Sequence, residues 1–279
     1  MQLQSLLIIL LGSVFHLGWN ILTKKGRDQL LFLWLALVIP GLFGFFFLLF
    51  ERYSQTTHLF IFATSIIHSL YFFLLANAYH YADLSFVYPY CRGIGTIVAT
   101  IGGILFLGES PSVLGWTGIS LALSGTLIEP ILSLKSKRNA LQKKGILFTL
   151  FTGIMIGSYL VLDTRGIRTL ERSVDYVAIM FFYSSLMLAP FVFRFERIKN
   201  EWKHSGMKPF LGSAFMAGAY AIILLAMQTT PVSYTVSARA SGIILSALYG
   251  KFVFKEIVGI NRVIAIVFIL VGVVCLAYA

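Results

Sequence analysis

Two arginines stand where a charge is costly. Arg92, in Tyr88-Pro89-Tyr90-Cys91-Arg92-Gly93, and Arg239, in Val236-Ser237-Ala238-Arg239-Ala240, each interrupt an apolar run long enough to cross a bilayer. Each lies 17 residues before a glutamate, Glu109 or Glu256. That separation is about 25 Å of helix, and each arginine follows the start of its run by about 12 Å, which puts both near the middle of a hydrocarbon layer roughly 30 Å thick. A charge at that depth is kept for a substrate, an ion or a partner. Two planar guanidinium forks facing one wet cavity have the geometry to clamp a phosphate, phosphonate or carboxylate through bidentate, charge-assisted hydrogen bonds. The competing reading is structural, with each arginine capping a broken helix or pairing with Asp83, Glu129 or Asp163.

Other residues suit the wall of such a pocket. His16, Trp19 and Asn20 are spaced by three and four residues, so they share one face of a helix. Tyr88 precedes Arg92 by one turn, and His80 closes the third run beside Tyr79 and Tyr81. His16 also offers a site where a proton could couple to transport, with His68 a weaker candidate. Pro89 removes a backbone donor, which predicts a helix kinked or opened beside Arg92; the matching position before Arg239 is Val236, so no such break is expected there. Glu109 and Glu256 end their runs and read either as solvated helix-end acids or as half of a gating salt bridge.

Positioning these residues falls to helices that live in lipid. The chain of 279 residues is 58% hydrophobic and 12% charged, with a mean hydropathy of +0.86; a soluble domain carries about 25% charged residues. Ten apolar runs of about 20 residues fit, near 3–23, 29–49, 59–81, 84–107, 111–132, 145–163, 174–193, 209–230, 233–254 and 258–278. The expected fold is an all-α integral membrane protein with no soluble domain and the first run retained as a helix. Cys91 and Cys275 have neither metal-ligand spacing nor a disulfide framework and read as packing residues, so no metal is expected there. The net charge of +11 sits in the loops, which argues for membrane orientation and against a nucleic-acid partner.

The two halves match each other. A shift of 147 carries Arg92 to Arg239, Gly95 to Gly242, Gly103 to Gly250 and Glu109 to Glu256, and a shift of 140 carries Trp19 to Tyr159, which adds Tyr159 to the candidate wall. Five helices written twice place the copies in opposite orientations, an inverted repeat suited to alternating access, with halves at 1–132 and 145–279 joined by a basic linker, 133–144. Small residues every fourth position, Cys91-Gly95-Ala99-Gly103 and Ala238-Gly242-Ser246-Gly250, predict close helix packing for the fourth and ninth runs, with each other or with neighbours. Sixteen of the 22 Lys and Arg residues lie at 24–28, 133–144, 194–208 and 251–262, against four on the alternate side, Arg52, Arg165, Arg168 and Arg172. The positive-inside rule then puts the first set in the cytoplasm and both termini outside.

No phosphate-binding loop, nucleophile elbow or zinc-protease motif is present, so neither an ATP-driven pump nor an enzyme is expected. The first run also lacks a central carboxylate to exchange protons for cations in the small-multidrug manner. Phe106-Leu107-Gly108-Glu109 with Gly115-Trp116-Thr117-Gly118 and Gly125, and Phe254-Lys255-Glu256 through Gly272, resemble the two repeats of EamA-type members of the drug/metabolite transporter superfamily. His16-Leu17-Gly18-Trp19-Asn20 with Asp83 through Pro89 and Arg92-Gly93 is similar to a branch of phosphonate-utilisation-associated membrane proteins, although Tyr90 and Ala240 depart from its pattern. The resemblance implies ten helices, cofactor-free transport of a small molecule, a central cavity, and termini in the cytoplasm, against the charge count. The resulting expectation is an inner-membrane secondary transporter of a small polar metabolite with an anionic group. Its rivals are an exporter of amino acids or drug-like compounds with structural arginines, and a flippase or assembly protein for a phosphorylated lipid.

Overall fold

A computed structural model describes residues 3–134, 140–169, 173–253 and 259–279. Within them the chain forms α1 (Leu3–Lys25), α2 (Gln29–Phe50), α3 (Gln55–Tyr81), α4 (Leu84–Leu107), α5 (Val113–Leu134), α6 (Ala140–Ile167), α7 (Ser173–Val192), α8 (Phe195–Ser205), α9 (Lys208–Met227), α10 (Val232–Ala238), α11 (Ser241–Val253) and α12 (Ile260–Tyr278). No strand occurs among the described residues. Lipid offers no partner for backbone N–H and C=O groups, so apolar sequences of this length satisfy them within helices. Eight of the helices are long and apolar enough to cross a membrane, and the apolar part of α5, Val113–Ile128, is shorter. The chain is an α-helical membrane protein.

Two local expectations are corrected. α4 is not opened at Pro89, since the helix continues through a proline that lies in its second turn and costs a single backbone bond. The ninth run, expected as one helix over 233–254, is instead divided at Arg239 and Ala240 into α10 and α11. The physical reason is visible in α10. The hydroxyls of Thr235 and Ser237 donate back to the carbonyls of Pro231 (3.0 Å) and Ser233 (2.8 Å), a competition that bends helices. Tight i−3 bonds follow, from Ala240 N–H to Ser237 O and from Gly242 N–H to Arg239 O, both 3.1 Å. A further helix, α8, occupies the basic segment 194–208 and exposes Phe195 and Trp202 from an otherwise charged sequence.

Packing is pairwise: α2 lies on α7, α5 on α12, α3 on α6, α1 on α9, and α4 chiefly on α6. Absent side chains allow the closest approaches. A Cβ on Gly272 would stand 2.7 Å from Ala122 N and 2.8 Å from Gly118 O, so α12 and α5 touch backbone to backbone. The small-residue stripe of α4 serves two neighbours, since a Cβ on Gly95 would meet Ile156 of α6 at 2.7 Å and one on Gly103 would meet Val232 of α10 at 2.9 Å. Polar clips fix the ends. Lys24 Nζ donates to the carbonyls of Tyr79 (2.5 Å) and Ala82 (2.9 Å), closing α3 with a cation at its negative pole. Arg197 pairs with Asp28, which also accepts from Leu31 N–H at the start of α2.

Candidate functional site

His16 organises the centre of the molecule. Trp19 Nε1–H donates to His16 Nδ1 at 3.2 Å, and the Arg239 guanidinium reaches the same nitrogen at 3.4 Å. Indole and guanidinium nitrogens only donate, so Nδ1 must be an acceptor and the ring proton resides on Nε2. The Tyr88 ring stands 6.0 Å from the His16 ring, and Arg92 Cζ lies 5.5 Å above the Tyr88 ring centroid. α1, α4 and the α10–α11 turn thereby bring His16, Trp19, Tyr88, Arg92 and Arg239 into one cluster, with the two arginines in electrostatic reach of each other.

The arginines are 7% and 2% exposed. Among the described side chains neither forms an ion pair with a carboxylate. Arg92 Nη2, Arg239 Nε and Nη1, and the Tyr88 hydroxyl are buried without a hydrogen-bond partner. A buried donor left unmatched is costly, and three guanidinium nitrogens and one hydroxyl stand so in this cluster. Of the three carboxylates weighed as partners, Asp163 is engaged by Tyr176 and Tyr220, Asp83 caps the start of α4 by backbone contacts, and the side chain of Glu129 lies outside the described set.

Asn20 is close but differently employed. Its Nδ2 donates to His16 O at 2.7 Å, and its Oδ1 accepts a very short bond from the Tyr79 hydroxyl. Tyr159 stacks on His68 with centroids 4.0 Å apart and feels the field of both arginines. A small cavity of about 20 Å³ is lined by His16, Trp19, His68, Tyr71, Tyr159 and Tyr220, among others; its size suits a single water. A larger guest requires the helices to part.

Two expected residues lie elsewhere. His80 is exposed at the end of α3, where it lines a polar recess of about 410 Å³ with Arg27, Asp28 and Arg197. Glu109 caps α10, its carboxylate accepting from Val232 N–H at 2.5 Å and Ser233 N–H at 3.1 Å. Glu256 falls outside the described residues. Residues that sequence reasoning left out of the pocket are Tyr71, Tyr79 and Tyr220, single aromatics on spans rich in aromatics. Among the described residues no group of three or more His, Cys, Asp or Glu side chains is placed to hold a metal.

The comparisons with known proteins agree with this architecture. The EamA-like transporter family model matches residues 143–278, and the Small Multidrug Resistance protein model matches residues 32–122. No curated protein matches. A solved structure titled only "Crystal structure of protein" superposes with a TM-score of 0.71 at 15% identity, covering 99% of this chain and 98% of that one, and at that identity it attests the fold alone. Both matching families are transporters rather than enzymes, and the helices are of membrane-crossing length. The chain is a multi-pass membrane transporter of small molecules, and the match over 143–278 is consistent with an EamA-type drug/metabolite transporter.

Proposed function

We propose that the transported molecule is a small polar metabolite bearing a phosphonate, phosphate ester or carboxylate group, held between Arg92 and Arg239. The observation that carries this reading is the pair of buried guanidinium groups without a carboxylate partner among the described side chains and with N–H atoms unmatched. Tyr88, His16, Trp19, Asn20 and Tyr159 supply the remaining wall. The water-sized cavity beside the cluster supports alternating access, because a larger guest fits there only when helices separate.

The repeat reading assigns 1–132 and 145–279 to two five-helix units of opposite orientation joined by 133–144. Its support is the contact pattern. Exchanging the units leaves α2 on α7 and α5 on α12 and converts the α3–α6 pair into the α1–α9 pair. The reading places the chain in the inner membrane, and the Lys and Arg distribution favours both termini outside. A second reading, handling of a phosphorylated lipid, draws support from an apolar groove of about 670 Å³ beside α4. Ile67, Val98, Ile101, Phe106 and Val161 line it, with Arg165 at one end.

Thermal stabilisation of the purified protein by phosphonates, phosphate esters, carboxylates, amino acids, cationic amines and a lysophosphatidate tests both readings. A ligand bound to the native state alone contributes about 2.7 kcal/mol at a hundredfold excess over Kd. One soluble anion class stabilising the parent but neither Arg92→Gln nor Arg239→Gln is the expected result. Stabilisation by cations or neutral amino acids, with the variants responding like the parent, moves the assignment to an exporter with structural arginines. A response to lysophosphatidate alone moves it to the lipid reading.

A further inference from the structure

A second charged centre lies beside the arginine cluster and is not used by it. Asp163 of α6 has no exposed surface, and hydroxyl groups surround its carboxylate. Tyr176 of α7 donates to Oδ1 at 2.9 Å, and Tyr220 of α9 donates a very short bond to Oδ2. Among the described residues no lysine or arginine pairs with it. The basic group brought against it is His68 of α3, whose Nε2 stands 4.0 Å from Oδ2.

The tautomer of His68 gives this arrangement its meaning. Nδ1 lies 3.1 Å from the Thr64 carbonyl oxygen and 3.1 Å from the Thr64 hydroxyl. A carbonyl only accepts, so Nδ1 carries the hydrogen of the neutral ring and Nε2 presents a lone pair. Two acceptors, Nε2 and Oδ2, therefore face each other inside the membrane with no hydrogen between them. A proton added at Oδ2 removes a lone charge from a medium where lone charges are costly, and closing the 4.0 Å gap by about 1 Å lets it bridge to Nε2.

From this geometry, and resting on the anion reading above, we propose that Asp163 and His68 form a proton-binding site, and that one proton is taken up with each anion bound by Arg92 and Arg239. The link is electrostatic. Tyr159 stacks on His68 and feels Arg239, Arg92 and Asp163 together, so the two centres share one field. While the arginines are empty, their positive charge offsets the Asp163 carboxylate. An arriving anion cancels that offset, and a proton from solvent settles at Oδ2 to restore it; the coupling works equally in the reverse direction.

The other groups facing this centre are accounted for. Tyr71 of α3, Tyr159 of α6 and Tyr220 of α9 face His68, and Tyr176 of α7 faces Asp163, while Cys91 and Arg92 of α4 and Arg239 of the α10–α11 turn act on Tyr159. Asp175, beside Tyr176, accepts from Tyr53 at 3.1 Å instead. His16, across the small cavity, already has Nδ1 committed to two donors, so a second ring proton there would break both bonds. The proton site is thus Asp163–His68 rather than His16.

Isothermal titration of the full-length protein in two buffers of different ionisation enthalpy counts protons exchanged per anion bound. Methylphosphonate and acetate serve as probes, the latter fully ionised at pH 7. The parent is expected to take up about one proton per acetate, and Asp163→Asn none while still binding the anion within about threefold. Absence of proton uptake by the parent, or equal uptake by Asp163→Asn, overturns the proposal. Should Asp163→Asn fail to fold, His68→Gln decides, since it must move the pH midpoint of uptake by about one unit and an unchanged midpoint refutes the pair. If neither probe binds the parent, the anion reading falls first and this inference with it.

Discussion

Replacing Arg239 by methionine should make the empty protein more stable, contrary to the usual effect of removing a large buried side chain. The guanidinium is 2% exposed, with Nε and Nη1 unpartnered and no carboxylate paired to it among the described side chains. Holding such an ion in the interior costs several kcal/mol after relaxation, taken here as about 4 kcal/mol. The bond from Nη2 to His16 offsets about 2 kcal/mol of that, and Trp19 continues to occupy His16 Nδ1 when it is gone. A methionine of similar reach fills the space without charge, leaving a net gain of about 2 kcal/mol and a Tm higher by roughly 4–8 °C. Differential scanning fluorimetry in detergent reads both this shift and the response to methylphosphonate, which the variant should lose. A variant that melts several degrees below the parent yet keeps the parent's anion response would refute the reasoning, because Arg239 would then be a structural strut.

The other predictions concern parts that hold the site in place. Gly272→Ala forces α12 away from the backbone of α5 and should cost about 1–3 kcal/mol, seen as earlier loss of monodisperse protein in heated size-exclusion runs. Tyr79→Phe removes the donor to Asn20 Oδ1 and should cost about 1–2 kcal/mol in thermal unfolding, with the arginine cluster still responding to anion. Glu109→Ala deprives α10 of its cap and should cost about 1–2 kcal/mol, whereas Glu109→Gln, whose one amide oxygen still accepts from one of the two N–H groups of Val232 and Ser233, should cost less.

Arg92 and Arg239 were legible in the sequence because a charge inside an apolar run stands out against everything around it. His16 and Trp19 were legible because helical spacing alone puts them on one face and in contact. His80 was drawn toward the pocket by its neighbour in sequence, but successive helical residues turn by about 100°, so Tyr79 faces inward to Asn20 while His80 faces the polar recess. Asp163 was visible only as a possible partner for arginine. Its real partners come from α3, α7 and α9, and no periodicity in one segment reports a meeting of four. The division at Arg239 escaped notice because serine and threonine hydroxyls weaken α10 without the proline that marks such breaks in sequence.

The most direct test of the central claim is uptake into proteoliposomes reconstituted with the parent, Arg92→Gln or Arg239→Gln, using radiolabelled methylphosphonate alongside a neutral amino acid and a cationic amine. Saturable uptake of the phosphonate by the parent, reduced at least about tenfold in both variants at equal protein incorporation, is the predicted result, a tenfold loss corresponding to about 1.4 kcal/mol of binding. Transport of the amino acid or the amine by all three proteins, with no phosphonate uptake by any, would contradict an anion pocket built on the two arginines.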